Sequence, residues 1–263
     1  MAVYSKLLLS AGGGIVSATQ QADQAKNTAT VLIGLGGTGI DCLRTIKTQV
    51  HARLKADDPE AVSPKYDHIR FLGVDTAEKS KGDQEDEQDN VKAGALMALE
   101  DTESFSISNP HVKRAFSNPK GLEMREELSW LRWEDIEAPD LGKAGAGGIR
   151  QIGRYMMMDK SKAFMSRVEQ EINAAKAGLI DPTVNVHIFS GLSGGTGAGC
   201  FLDVCYMVRH IANKVGAVTI FGYFFLPDVN LSVIPFSDTK TRAYVPKNGY
   251  ASMQELDYCM QLQ

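Results

Sequence analysis

The sequence has no paired cysteines: Cys42, Cys200, Cys205 and Cys259 fall in no CxxC spacing. That excludes the signature of a zinc site, and at least three of the four lie where the apolar pattern predicts helix. They read as reduced, partly buried thiols of a cytosolic protein. Histidine is sparse, five in 263 residues with no HExxH or comparable pair, so no side-chain cluster is expected to bind a metal. No apolar stretch approaches the roughly 20 residues of a membrane span. The run Leu7–Leu9 is too short for a signal peptide. Charge of one sign is missing as well: a net charge of -4 and a pI near 5.8 give no global attraction to nucleic acid or an anionic membrane. What remains is a globular composition, 43% hydrophobic and 23% charged, at a length suited to one large α/β domain or two small ones.

Glycine is what the sequence does have, and it is clustered. "FSGLSGGTGAG" (189–199) sets Gly194, Gly195, Gly197 and Gly199 straight after an apolar run, where an ordinary turn would use one or two. The same grammar occurs earlier. "TVLIGL" (30–35) is an unbroken apolar run, as expected of a strand buried on both faces of a parallel sheet. "GGTG" (36–39) follows, and then Ile40, Leu43, Ile46, Val50 and Leu54 recur at helical spacing. A second strand, 68–74, ends at Asp75. "GKAGAGGIRQIGR" (142–154) is a further glycine loop leading into a helix through about Ala175, whose Met156–Met158 fill the core. Strand 183–192, helix 200–215 and strand 217–226 complete the alternation, followed by a looser stretch and a helix over 249–263 with no stop signal.

The expected organisation is an N-terminal extension over 1–28 and one nucleotide-binding domain over 29–263, incomplete at its C-terminus. The chain ends in mid-element, as a piece of a longer protein would. An acidic insertion near 78–140, with "EKSKGDQEDEQDN" at its start, reads as a solvated surface. The fold class predicted is α/β: a Rossmann-like, three-layer parallel sheet with helices on both faces.

In such a sheet the strand-to-helix connections lie along one edge, where ligands bind. First-turn N–H groups are unpaired and carry the positive end of the helix dipole. Glycines without Cβ let an anion reach them, and Thr38 and Thr196 add hydroxyl donors. Glycine loops at 36–39, 145–148 and 193–199 on one edge imply a ligand with several phosphates. A P-loop is excluded, since no glycine cluster is followed by the Lys of GxxxxGK[ST]. A dinucleotide fold stays open, because "GLGGTG" (34–39) satisfies GxGxxG between strand and helix; that reading leaves 193–199 unexplained.

Ser193-Gly194-Gly195-Thr196-Gly197-Ala198-Gly199 matches the pattern [SAG]GGTG[SA]G at every position, and here the chain resembles the tubulin/FtsZ superfamily. It is most similar to bacterial tubulin-like domain proteins. "GLGGTGIDC" resembles the first nucleotide loop of FtsZ, and "GAGGIRQIGR" is similar to its "GAGANPEIGR", with identities at Gly145, Ala146, Gly147, Ile152, Gly153 and Arg154. The resemblance covers roughly 30–260, strongly at the loops and weakly through 80–140.

The resemblance implies a GTP- and GDP-binding, cytoplasmic, cytoskeleton-type bacterial protein that uses Mg2+ and associates head to tail, with no nucleic-acid or membrane partner. Gly36, Gly37, Thr38 and Gly39 would face the inner phosphates or sugar. Ser193, Gly194, Gly195, Thr196, Gly197, Ala198 and Gly199 would form the main cradle. Ala146, Gly147 and Gly148 would approach the terminal phosphate, Asp75 the metal, and Arg154 the sugar–phosphate. Asp41 and Gln151 would also touch nucleotide, although relatives carry an amide and an acid in those regions. "LPDVNLSVIPFSD" (226–238) stands where relatives have a sugar-side loop. No catalytic residue is expected within 1–263: the acidic loop that activates water across the subunit interface is missing, so GTPase activity would require a longer, assembled chain. Two other readings stand beside this one, a NAD- or FAD-type dinucleotide enzyme and a degenerate tubulin-like scaffold without nucleotide.

Overall fold

The computed structural model describes residues 27–57, 68–77, 96–109, 112, 126–131, 145–216 and 218–262. The expected extension over 1–28 lies almost wholly outside the described residues, and so does most of the insertion near 78–140. In chain order the elements are β1 (Thr28–Leu35), α1 (Gly36–Asp57), β2 (Ile69–Asp75), β3 (Ser104–Ser106), α2 (Arg150–Lys176), β4 (Thr183–Gly191), α3 (Thr196–Val215), β5 (Val218–Phe225), α4 (Pro227–Val233) and α5 (Thr239–Gln261). Short 3-10 turns at Asp101–Glu103 and Glu126–Leu128 complete the described elements.

The strands form one sheet in the order β3-β2-β1-β4-β5, with every pairing parallel. The α/β fold class predicted from sequence is the one observed. Alternation along β1 shows how its sequence builds two layers. Ala29, Val31, Ile33 and Leu35 face a large core completed by α2 and α3, including Met156, Met157, Phe164, Phe201 and Val204. Leu32 faces the other way, into a smaller core with Leu43 of α1, Phe71, Leu99 and Phe189. A strand wanted by two cores is apolar on both faces, hence the unbroken run from Val31 to Leu35.

Charge pins the layers together at two places. Glu171 of α2, 4% exposed, takes Arg70 Nε of β2 at 2.8 Å and Arg167 Nε at 2.6 Å. On the opposite face Lys47 of α1, 1% exposed, donates to Glu103 at 2.6 Å and to the Ala98 carbonyl at 3.3 Å. No helix among the described residues is long and apolar enough to cross a membrane.

Two stretches differ from expectation. Helix α3 starts at Thr196, inside the glycine run, instead of after it. The looser stretch after β5 is mostly helical: Pro227 occupies the first turn of α4, and Asp238 caps α5 by accepting from Thr241 N at 3.0 Å. Both are ordinary start signals, but Pro246 within α5 masks the continuity of the longer helix.

Candidate functional site

Because β1 and β4 are neighbours, with Gly34 opposite Phe189 and Leu35 opposite Ser190, the turns that leave them lie abreast. The strand order reverses between them, which opens a crevice at the carboxyl ends. Gly36 takes a left-handed φ of 65°, and a Cβ placed on it would stand 3.2 Å from Gly197 N. Across the same gap a Cβ on Gly191 would meet Thr38 Oγ1 at 3.0 Å. The stretches around Thr38 and Thr196 therefore share one rim.

The end of β2 joins them. Asp75 Oδ1 accepts from Thr76 N at 2.7 Å and from Thr196 Oγ1 at 2.9 Å. Thr76 Oγ1 lies 2.6 Å from Thr196 Oγ1 and accepts from Ala146 N at 2.9 Å. The turn at 145–148 reaches that position only because Gly145, Gly147 and Gly148 all adopt positive φ, at 62°, 54° and 79°. Helices α4 and α5 brace the assembly from outside. Asn230 Nδ2 donates to Thr38 Oγ1 at 3.2 Å, Asn248 Nδ2 to the carbonyls of Gly148 and Ser193 at 2.9 Å each, and Ser252 Oγ to the Leu192 carbonyl at 3.0 Å.

What the rim presents is donors. Neither α2, preceded by Ile149, nor α3, preceded by Gly195, has a side-chain cap. Outside the helices no hydrogen bond occupies the N–H groups of Gly36, Gly37, Thr38, Gly194, Gly195 or Thr196 among the described residues. Groups of that kind are satisfied by water or by an anion. Gly37, Gly147 and Gly194 have no atom within 4 Å of where a Cβ would be, so their backbone faces open space. Two buried side-chain atoms at the rim, Ser193 Oγ and Asn230 Oδ1, have no partner among the described residues. The Oδ2 atom of Asp75 makes no hydrogen bond among the described residues, and it is a hard oxygen suited to Mg2+ or its water. No group of three metal-binding side chains assembles among the described residues, so a cation here would complete its shell from ligand phosphates and water. The residues present fit a magnesium-bearing polyphosphate.

Not every residue singled out in the sequence comes to this rim. Gly36–Gly39, Asp75, Ala146–Gly148 and Ser193–Gly197 do. Asp41 is exposed on α1, where it pairs with Arg44 at 3.6 Å. Arg154 is held from two sides: its guanidinium bonds both oxygens of Asp203 at 2.9 and 3.2 Å and lies 4.5 Å over the Trp130 ring. With Gln151, Asp203, Tyr206 and Tyr258 it lines a hollow of about 420 Å³ between α2, α3 and α5. Ala198 and Gly199 are part of the seam between α2 and α3; the Ala198 carbonyl accepts from Arg150 Nε at 3.2 Å. Burial pushes the thiols of α3 up, Cys205 to about 11 and Cys200 higher still, which disfavours their thiolate forms.

Sequence reasoning missed Thr76, Asn230 and Asn248. Thr76 adjoins Asp75 and carries a hydroxyl, a signal that could have been read. The two asparagines lie in the stretch whose helical character was hidden, so nothing placed them near the glycine loops.

The sequence profile of the family described as "Tubulin like" matches residues 31–263. No curated protein matches the sequence. Among solved structures, the GDP-bound monomer of CetZ1 from Haloferax volcanii is similar at 13% identity over 86% of this chain and 47% of that one, with a TM-score of 0.43. The GTPγS-form protofilament of TubZ from Bacillus thuringiensis serovar israelensis is similar at 14% identity, over 89% of this chain and 42% of that one, also at 0.43. The chain thus spans less than half the length of either.

Proposed function

The chain belongs to the tubulin-like family, and from that premise we propose that its rim binds a guanine nucleotide with Mg2+. The observation that carries this reading is the abutment of the first turns of α1 and α3 at Gly36 and Gly197, with uncapped N–H groups on both and Asp75 alongside. The donors would hold the phosphates. Asp75 Oδ2 would bind the cation or its water, and the open lip at Gly147 leaves room for a third phosphate. The cation would neutralise charge on the phosphate oxygens when bound. The same reading extends to a cytoplasmic, cytoskeleton-type bacterial protein that associates head to tail.

A dinucleotide reading has one observation in its favour: Asp75 ends β2, next to "GLGGTG" at the β1–α1 turn, where dinucleotide folds place a ribose-binding acid. Against it, Oδ1 of that carboxylate already serves Thr76 N and Thr196 Oγ1 and so faces the β4–α3 turn.

Titrating fluorescent GTP, ATP and NAD against the full chain, with and without Mg2+, separates the readings. Saturable GTP binding that Mg2+ strengthens is expected. Preferential NAD binding would establish the dinucleotide reading, and no binding of any of the three would leave a scaffold.

A further inference from the structure

Ala146 lies in the turn assigned to the terminal phosphate, yet its N–H is already used. It donates to Thr76 Oγ1 at 2.9 Å, at a place where Ala146 is 2% and Thr76 1% exposed. A hydroxyl has one proton to give and two lone pairs to accept with. Asp75 Oδ1 accepts from the pair of hydroxyls on Thr196 and Thr76, with Thr196 Oγ1 at 2.9 Å and Thr76 Oγ1 at 3.4 Å. In the 2.6 Å contact between the two hydroxyls either can donate, since Thr76 Oγ1 also reaches Asp75 Oδ1; in both arrangements Thr76 Oγ1 has a lone pair for the Ala146 N–H. The contacts run from the Ala146 N–H to Thr76 and on through Thr196 to Asp75, and the first of them is fixed in direction because an N–H can only donate. This short relay joins the 145–148 turn, the β4–α3 turn and the end of β2. The turn is also packed onto it, since a Cβ on Gly145 would stand 2.6 Å from Thr76 Oγ1.

Resting on the guanine-nucleotide reading, we propose that Thr76 is a positioning residue that competes with the terminal phosphate for the Ala146 N–H. With two phosphates in the cradle, Thr76 holds that N–H and keeps the 145–148 turn in place. A third phosphate must take the N–H away from Thr76 or do without it. Thr76 thus weakens the preference for triphosphate over diphosphate, although it touches neither ligand. Gly147, whose backbone faces open space, is the donor of the turn that needs no such exchange.

Thr76→Val removes the acceptor and keeps the branched shape. In the full chain with Mg2+, the ratio of GDP to GTPγS dissociation constants should rise about tenfold over wild type, because the buried N–H left without a partner regains one only from a terminal phosphate. Thr76→Ser should restore the wild-type ratio. Thr76→Ala, also without the acceptor, gives the same comparison where the valine variant does not fold. In the nucleotide-free protein, amide exchange at Ala146 should be faster in Thr76→Val than in wild type and Thr76→Ser. Equal weakening of both nucleotides, with the ratio unchanged, would mean that Thr76 only packs, and it overturns the proposal while the nucleotide reading stands. Wild-type protein that binds neither nucleotide overturns both.

Discussion

The seam between α2 and α3 and the open lip of the rim are built from the same residue type a few positions apart, for opposite reasons. At the seam, a Cβ on Gly153 would press into the Gly195 carbonyl, and one on Gly199 into the Arg150 carbonyl. A Cβ on Gly195 would meet Ala146 Cβ at 2.7 Å and Gly148 N at 2.9 Å, and one on Gly197 would meet Ser190 Oγ at 2.7 Å. These glycines let protein approach protein. At the lip, Gly37, Gly147 and Gly194 have nothing within 4 Å of that position, and there the missing side chain leaves room for something that is not protein. The seam holds the lip in place: two backbones in contact fix the first turn of α3 against that of α2, so the unpaired N–H groups point into one space before any ligand arrives. Preorganised donors of this kind cost little reorganisation on binding.

The sharpest way to break this division is Gly153→Ala. In a helix interior the change normally gains about 0.5–1 kcal/mol. Here the new methyl meets a backbone carbonyl that cannot move without separating α2 from α3, and overpacking of that kind costs typically about 1–3 kcal/mol, occasionally more. A clear fall in melting temperature is expected in thermal unfolding followed by circular dichroism. An unchanged or raised value would show that the seam is slack. Gly194→Ala, next to the seam in sequence, should do the reverse. Stability should stay within about 0.5 kcal/mol, while GTP titration of the folded variant should show binding weakened several-fold, since the methyl enters the space above the donors. If the melting temperature falls instead, Gly194 belongs with the seam and the division is drawn in the wrong place.

The sheet was legible because its strands and first helices carry one consistent period each. "TVLIGL" reads as a strand wanted on both faces, "IRFLGV" and "TVNVHIFSG" read as its companions, and strand–glycine–helix repetition set them parallel. The rim was legible for the same reason, since in a parallel sheet every such turn falls on one edge. What sequence could not show is which atoms each glycine faces, because that depends on helices brought together from positions 153 and 195. A motif match treats Gly194 and Gly195 alike; packing does not. Arg154 illustrates the same gap, as its charge fits a phosphate, but Asp203 and Trp130 reach it from elements whose placement no local pattern encodes. Asn230 and Asn248 lie in the stretch read as loose, Asn230 on the short α4 and Asn248 beside Pro246 within α5, so no local pattern tied them to the glycine loops.

Gly37 gives the smallest effect and the finest test of the lip. It is the second residue of α1, exposed, and free of any positive φ, so alanine can adopt its backbone without strain. Replacing it restricts the unfolded chain and improves helix propensity, a gain of about 0.4–1 kcal/mol in a site that accepts the new side chain. Were Gly37 there merely to start the helix, Gly37→Ala would be a plain improvement. A ligand lying over the first turn of α1 makes it a compromise: the methyl that stabilises the helix also stands among the donors. Gly37→Ala should therefore raise the unfolding midpoint in urea slightly and weaken GTP binding about twofold to fivefold, a loss of about 0.4–1 kcal/mol. Stability gained with affinity unchanged would move the phosphates away from α1 and onto the first turn of α3 alone.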